Sequence, residues 1–302
     1  MASSLVSTAS LFLLAASTVN AAKCPIQFEG RVPTNFTPAD FDTSASPFNN
    51  GFVFGKGLKA SDVVSIPDGL SSMPSANIAK PDQLDGTSGK AFEVNIDDRS
   101  IFAPSETNVQ TGFRRAEMLP MSNNGTDPST SGVKTVHWSM MKDPKKPLNL
   151  THEYQMVFLE SSIFSSNQFA LKYGDLIGIH PADPDVLHLF GNSNTKPFQP
   201  EMFTTKFTEG VFHNFALTLD FTKNLTQIYY SQGNTPLVAQ GKPVENDISG
   251  QGQFHFGVLK KSVNGTGDLT KSGFHESGIH EGIIFGGIFQ EDSADGCVTL
   301  SP

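Results

Sequence analysis

The segment QFHFGVL, residues 253–259, sets Phe254, Phe256 and Val258 against Gln253, His255 and Gly257 in strict alternation. Successive side chains of a β-strand point to opposite faces, so a strand with this sequence buries one face and keeps the other polar. Eight more runs have the same texture, at residues 91–96, 112–119, 133–141, 152–160, 168–173, 213–221, 225–231 and 282–289. Turn formers such as Asn123-Asn124-Gly125 and Lys142-Asp143-Pro144 separate them, and no long stretch carries helical periodicity with caps at both ends. Half-buried strands need a second layer to cover them. The expected fold is therefore all-β, a β-jelly-roll sandwich of two antiparallel sheets.

Alternation also sorts the charges. In GFRRAEML it places Phe113, Arg115, Glu117 and Leu119 on one face and Arg114, Ala116 and Met118 on the other. In HEYQMVF it sends His152, Tyr154, Met156 and Phe158 to the core and Glu153, Gln155 and Val157 to the opposite surface. An isolated Arg–Glu pair on an exposed sheet face contributes only about 0 to 1 kcal/mol. Several strands with matching polar faces are what a groove for a hydroxyl-rich ligand requires.

The ends of the chain bear on its setting. Residues 1–21 read as a secretory signal peptide, with an apolar run from Leu11 to Ala16 and small residues in Val19-Asn20-Ala21. Residues 22–302 read as one domain, and no later stretch approaches the ~20 apolar residues of a membrane span. Cys24 and Cys297 are the only cysteines, one near each end, and in an oxidising compartment they are expected to pair. Asn35, Asn124, Asn149, Asn224 and Asn264 each begin a glycosylation sequon. A net charge of −9 gives no electrostatic reason to bind nucleic acid or a polyanion. A secreted monomer acting on a neutral substrate fits these features.

Seven ordered segments resemble glycoside hydrolase family 131, secreted fungal enzymes acting on β-glucans. They are CPIQFEGRVP (24–33), IDDRSIF (96–102), NVQTGFRRAEMLP (108–120), PLNLTHEYQMVF (147–158), FHNFALTLDF (212–221), SGQGQFHFGVLKK (249–261) and ESGIHEGIIFGGIFQEDSADGCV (276–298). The resemblance implies a jelly-roll hydrolase of β-1,3-, β-1,6- and β-1,4-linked glucans, needing no cofactor. It also implies a catalytic glutamate pair, which falls on Glu117 and Glu153.

Glycoside hydrolysis normally uses one protonated and one ionised carboxyl. Arg115 beside Glu117 favours its ionised form, whereas Glu153 has no cation close by in its own strand and is expected to be the proton donor. Gln155, Gln253, His255, His137 and Lys260 are expected substrate contacts, with Glu281 as the reserve carboxylate. His275-Glu276 and His280-Glu281 look like fragments of a zinc motif, but histidines five apart around Gly278 do not share a helical face, so no metal is expected. A non-catalytic glucan-binding jelly roll is the alternative function, and a polysaccharide lyase is the more distant one.

Overall fold

The structure, a computed structural model, describes residues 24–49, 53–67, 89–121, 127–197 and 199–300. The leader and the Asn124 sequon lie outside them. Eleven strands of five or more residues build two antiparallel sheets: β1 (Phe92–Asp97), β2 (Phe113–Met118), β3 (Val133–Lys142), β4 (Glu153–Glu160), β5 (Asn167–Gly174), β6 (Val186–Phe190), β7 (Glu201–Lys206), β8 (His213–Asp220), β9 (Leu225–Gln232), β10 (Gln253–Lys261) and β11 (His280–Asp292).

The front sheet has six strands in the order β7-β6-β5-β4-β10-β2. The back sheet has nine, with β9-β8-β3-β11-β1 at its centre and short strands completing its edges, among them Ile26–Glu29 on β11 and Val64–Ser65 on β1. The chain crosses between the sheets several times, as when β2 in front leads to β3 behind, while β4 to β7 follow one another within the front sheet. The two-sheet jelly-roll expectation holds.

The core lies between the sheets. Phe254, Phe256 and Val258 of β10 enter it fully buried, with Trp138, Phe215 and Phe285 from the back sheet. Rings pack there in offset and edge contacts, Trp138 lying 5.1 Å from Phe215. Cys24 and Cys297 form the expected disulfide, with Cα atoms 5.6 Å apart, which ties the chain ends beside β11.

One strand departs from simple alternation. Gln155 pairs with Lys172 and Leu259, but the next pairs are Val157 with Leu171 and Phe256, so the ladder slips at Met156. Met156 and Val157 therefore both join the core, and every later residue of β4 changes face. Phe158, expected in the core, instead stacks on His255 on the outer face of the front sheet, with centroids 4.3 Å apart. Glu160 follows it to that outer face.

Candidate active site

The outer face of the front sheet carries two charged clusters. The first is built on adjacent strands β2 and β10, which pair Glu117 with Gly257 and Arg115 with Leu259. Arg115 grips Glu117 with two hydrogen bonds of 2.7 Å, from Nε to Oε1 and from Nη2 to Oε2. His255 joins from β10, its Nδ1 lying 2.7 Å from the same Oε2. Gly257 allows this close approach, since a Cβ there would stand 2.2 Å from the Ala116 carbonyl oxygen and 2.7 Å from Glu117 Cα. Gln110 accepts from Arg115 Nη1, and the Phe102 ring lies 5.5 Å under the guanidinium.

Both partners are sealed from water, and their charges are set by each other. Burial alone would push the Glu117 carboxyl up, but Arg115 and then His255 bring it below the usual carboxylate range. Burial alone would push the imidazole down, but Glu117 and Glu160 raise it instead. Glu117 and Glu160 thus favour the protonated form of His255. Its Nε2 faces Glu160 Oε2 at 3.5 Å, an ion-pair contact without a hydrogen bond, and the Glu160 side chain is 25% exposed.

That arrangement sets an upper limit on a distance. Contacts of 2.7 and 3.5 Å on either side of one imidazole keep the carboxylate oxygens of Glu117 and Glu160 within roughly 8.5 Å of each other, and the imidazole fills the gap in which an inverting glycosidase holds its water.

The second cluster centres on Glu153. Lys261 Nζ donates to its Oε1 at 2.5 Å, Lys172 Nζ stands 3.5 Å from the same oxygen, and the Ile177 N–H donates to Oε2 at 2.8 Å. Burial alone would raise this carboxyl as well, yet Lys261 and then Lys172 hold it below its ordinary range. Glu153 is therefore an ionised anchor for two lysines, the reverse of what a proton donor needs. The cation absent from its own strand comes from both neighbouring strands.

The two glutamates expected to act together share the outer face but not a common point. Glu117 lies opposite Gly257, whereas Glu153 is bonded to Lys261, four residues further along β10. At ~3.3 Å per residue that offset is roughly 13 Å along the strand, the same as that of Glu160 opposite Gln253. His255 bridges Glu160 to Glu117, however, whereas Glu153 contacts Lys261, Lys172 and Ile177 instead.

A sequence comparison matches the "Glycoside hydrolase 131 catalytic N-terminal domain" over residues 26–296, nearly all of the described chain. The chain belongs to glycoside hydrolase family 131. Two solved structures are similar throughout: the catalytic domain of the family 131 protein from Coprinopsis cinerea, with 22% identity and a TM-score of 0.64, and a GH131 beta-glucanase catalytic domain from Podospora anserina, with 20% identity and a TM-score of 0.67. The alignments cover 92% and 91% of this chain respectively, and 98% of either relative. No curated protein matches the chain in sequence. The enzyme is thus a glycoside hydrolase, and its resemblance to the family in seven motifs is matched by its fold.

In this family 131 chain Arg115, Glu117 and His255 come together as alternation along β2 and β10 implies, and Gln155 and Gln253 lie on the same face. Gln155 accepts from Asn167 at 3.1 Å. Three other expected contacts do not reach that face. His137 is buried on the far side of the back sheet, stacked on Phe289 and 2.9 Å from Glu291. Lys260 points inward, because it alternates with Leu259 and Lys261, and it crosses between the sheets to Glu281 at 2.7 Å. Glu281 also accepts from the Tyr154 hydroxyl at 2.8 Å, so the reserve carboxylate is half of a buried inter-sheet ion pair. Glu160 is the residue that sequence reasoning missed. Uninterrupted alternation from Glu153 assigns it to the core side, and only the slip at Met156 reverses that.

Proposed function

We propose that this enzyme is a secreted β-glucanase, active as a monomer, that hydrolyses β-1,3/1,6- and/or β-1,4-glucosidic bonds with Glu117 and Glu160 as its carboxyl pair. The observation that carries the reading is the His255 ring seated between Glu117 at 2.7 Å and Glu160 at 3.5 Å. Glu160 is the member of the cluster that solvent reaches, so it meets the departing glycosidic oxygen and relays to it the proton that His255 Nε2 carries toward Glu160 Oε2. Glu117, kept ionised by Arg115 and sealed from water, supplies the fixed negative charge that favours positive charge developing on the sugar.

The family resemblance points to Glu153 as the second carboxyl, and the two assignments separate cleanly. Reducing-sugar release from laminarin and barley β-glucan should fall at least 100-fold in Glu160→Gln and less than tenfold in Glu153→Gln. The opposite ranking restores Glu153. Wild-type enzyme that binds these glucans but releases no reducing ends is a glucan-binding protein, and the hydrolytic reading fails. Proton NMR of the anomer first released tells inversion from retention.

A further inference from the structure

Among the described residues, aromatic rings open to a sugar are scarce. The single Trp, Trp138, is fully buried, and Tyr154 and Tyr173 are 0% and 2% exposed. Among the described residues two aromatic side chains stand largely in solvent, Phe164 at 70% and Phe274 at 61%. One exposed Phe needs no explanation. Two beyond opposite ends of the same strand pair call for one.

Their placement follows from the ladder of β4 and β10. Glu160 pairs with Gln253 at one end and Tyr154 with Lys260 at the other. Phe164 lies in the β4–β5 turn just beyond Glu160, next to Ile163, itself 76% exposed. Phe274 lies beyond Lys261, bridged to Val263 by hydrogen bonds of 3.1 and 2.9 Å. Strands of eight and nine residues separate them, which at ~3.3 Å per residue is roughly 25 to 30 Å.

Phe164 is also held in a conformation that phenylalanine avoids. Its φ is 57°, in the left-handed region that β-carbons disfavour. The turn is pinned by Phe164 N–H to the Ser161 carbonyl at 2.8 Å, and Ser161 Oγ accepts from Ser165 and Ser166 N–H at 3.3 and 3.2 Å. An Asn or Gly would suit that backbone better, and the ring is exposed on a fixed turn.

We propose that Phe164 and Phe274 are stacking platforms for the apolar C–H faces of glucose rings, placed so that one polysaccharide chain lying along β4 and β10 meets both. The carboxyl cluster lies between them, nearer Phe164. This inference rests on the glucanase reading for its ligand, and it adds that long chains are held better than short ones.

Phe164→Asn, Phe274→Ser and the double variant test it. Asn is at home in left-handed backbone, so the Phe164 change should not cost stability. Each single variant should bind insoluble β-1,3-glucan or soluble barley β-glucan about three- to tenfold more weakly. The double variant should lose more, with unfolding temperature and turnover of laminaritriose unchanged. Wild-type affinity of the double variant for both polymers overturns the proposal, as does an equal loss on laminaritriose and on polymer. If wild-type enzyme binds the polymers but hydrolyses neither polymer nor triose, the glucanase reading falls and the binding series still decides the platforms.

Discussion

Glu117 Oε2 and His255 Nδ1 lie 2.7 Å apart, with the two side chains 0% and 2% exposed. Removing one charge from such a cluster strands the others in a place water does not reach, so the effect of a substitution depends on burial as much as on chemistry. Glu117→Gln leaves both Arg115 and His255 short of a carboxylate. It should abolish glucan hydrolysis and lower stability by about 3 to 5 kcal/mol. Glu160→Gln changes a partly exposed group and should abolish hydrolysis with little change in unfolding. Thermal unfolding measured beside reducing-sugar release separates the two.

Glu153 should behave as a structural ion. Its two lysines come from β5 and β10, and the Ile177 N–H anchors the turn after β5 to it. Glu153→Gln should lower the unfolding temperature measurably while the variant that remains folded keeps most of its activity. Near-complete loss of activity at unchanged stability refutes this and returns Glu153 to catalysis.

The pH dependence of stability has a definite sign on each side. His255, with its pKa raised in the fold, contributes stability that is fully present below its unfolded value of about 6.5 and is lost as pH rises through the folded value. Glu117, with its pKa lowered, contributes stability present above about 4.5 and lost as pH falls through its folded value. His213 is pulled down to about 4 by burial, so below about 6.5 the unfolded chain takes up a proton that the fold refuses until about 4. Unfolding temperature should therefore peak near pH 6 to 7 and fall on both sides. The gap between wild type and His255→Gln should narrow from pH 6 to 9, and a constant gap contradicts the assignment of charge to His255.

These outcomes turn on features that differ in how visible they are in sequence. The alternation of β10 was legible because nothing interrupts it, and it correctly placed His255 outward and Phe254, Phe256 and Val258 inward. Strands β6 and β7 carry little signal in sequence, since VLHLF is short and EMFTTK follows a Pro-rich stretch, and both are edge or near-edge strands. Pairing between distant strands is absent from local pattern altogether. That is why the Lys261–Glu153 bond, the Lys260–Glu281 pair across the sheets and the burial of His137 under the terminal segment were out of reach. The slip at Met156 is the most consequential case, because one displaced residue moved Phe158 and Glu160 from the core to the site.

The disulfide closes a segment 273 residues apart in sequence, linking the strand Ile26–Glu29 and the chain after β11. Chain-entropy reasoning values such a closure on the order of 5 kcal/mol, and measured losses commonly run from about 2 to 5. Reduction, or Cys24→Ser with Cys297→Ser, should lower the unfolding temperature by about 5 to 15 °C. The front-sheet cluster lies in the other sheet, so residual activity at low temperature should be near wild type. An unchanged unfolding temperature would show that the core alone holds the ends.

Sequon occupancy should follow side-chain engagement. Asn35 and Asn264 are exposed, and Asn264 sits at φ 55° in a loop beyond β10. Asn149 is different: its Nδ2 donates to Glu276 at 2.9 Å while its Oδ1 accepts from the Thr151 hydroxyl at 2.9 Å and from the Thr151 N–H at 3.2 Å. Its own backbone N–H donates to the Tyr154 hydroxyl at 2.8 Å, which ties the site to the buried pair of Lys260 and Glu281. Glu276 in turn accepts from His152 at 2.8 Å and is held down to about 2, burial being outweighed first by Lys260 and then by Asn149 itself. A glycan on Asn149 would have to displace Glu276 from that network. Glycopeptide mass spectrometry of protein secreted by a fungal host should find Asn35 and Asn264 occupied and Asn149 largely bare. High occupancy at Asn149 in folded, active enzyme would show that the Glu276 contact is dispensable.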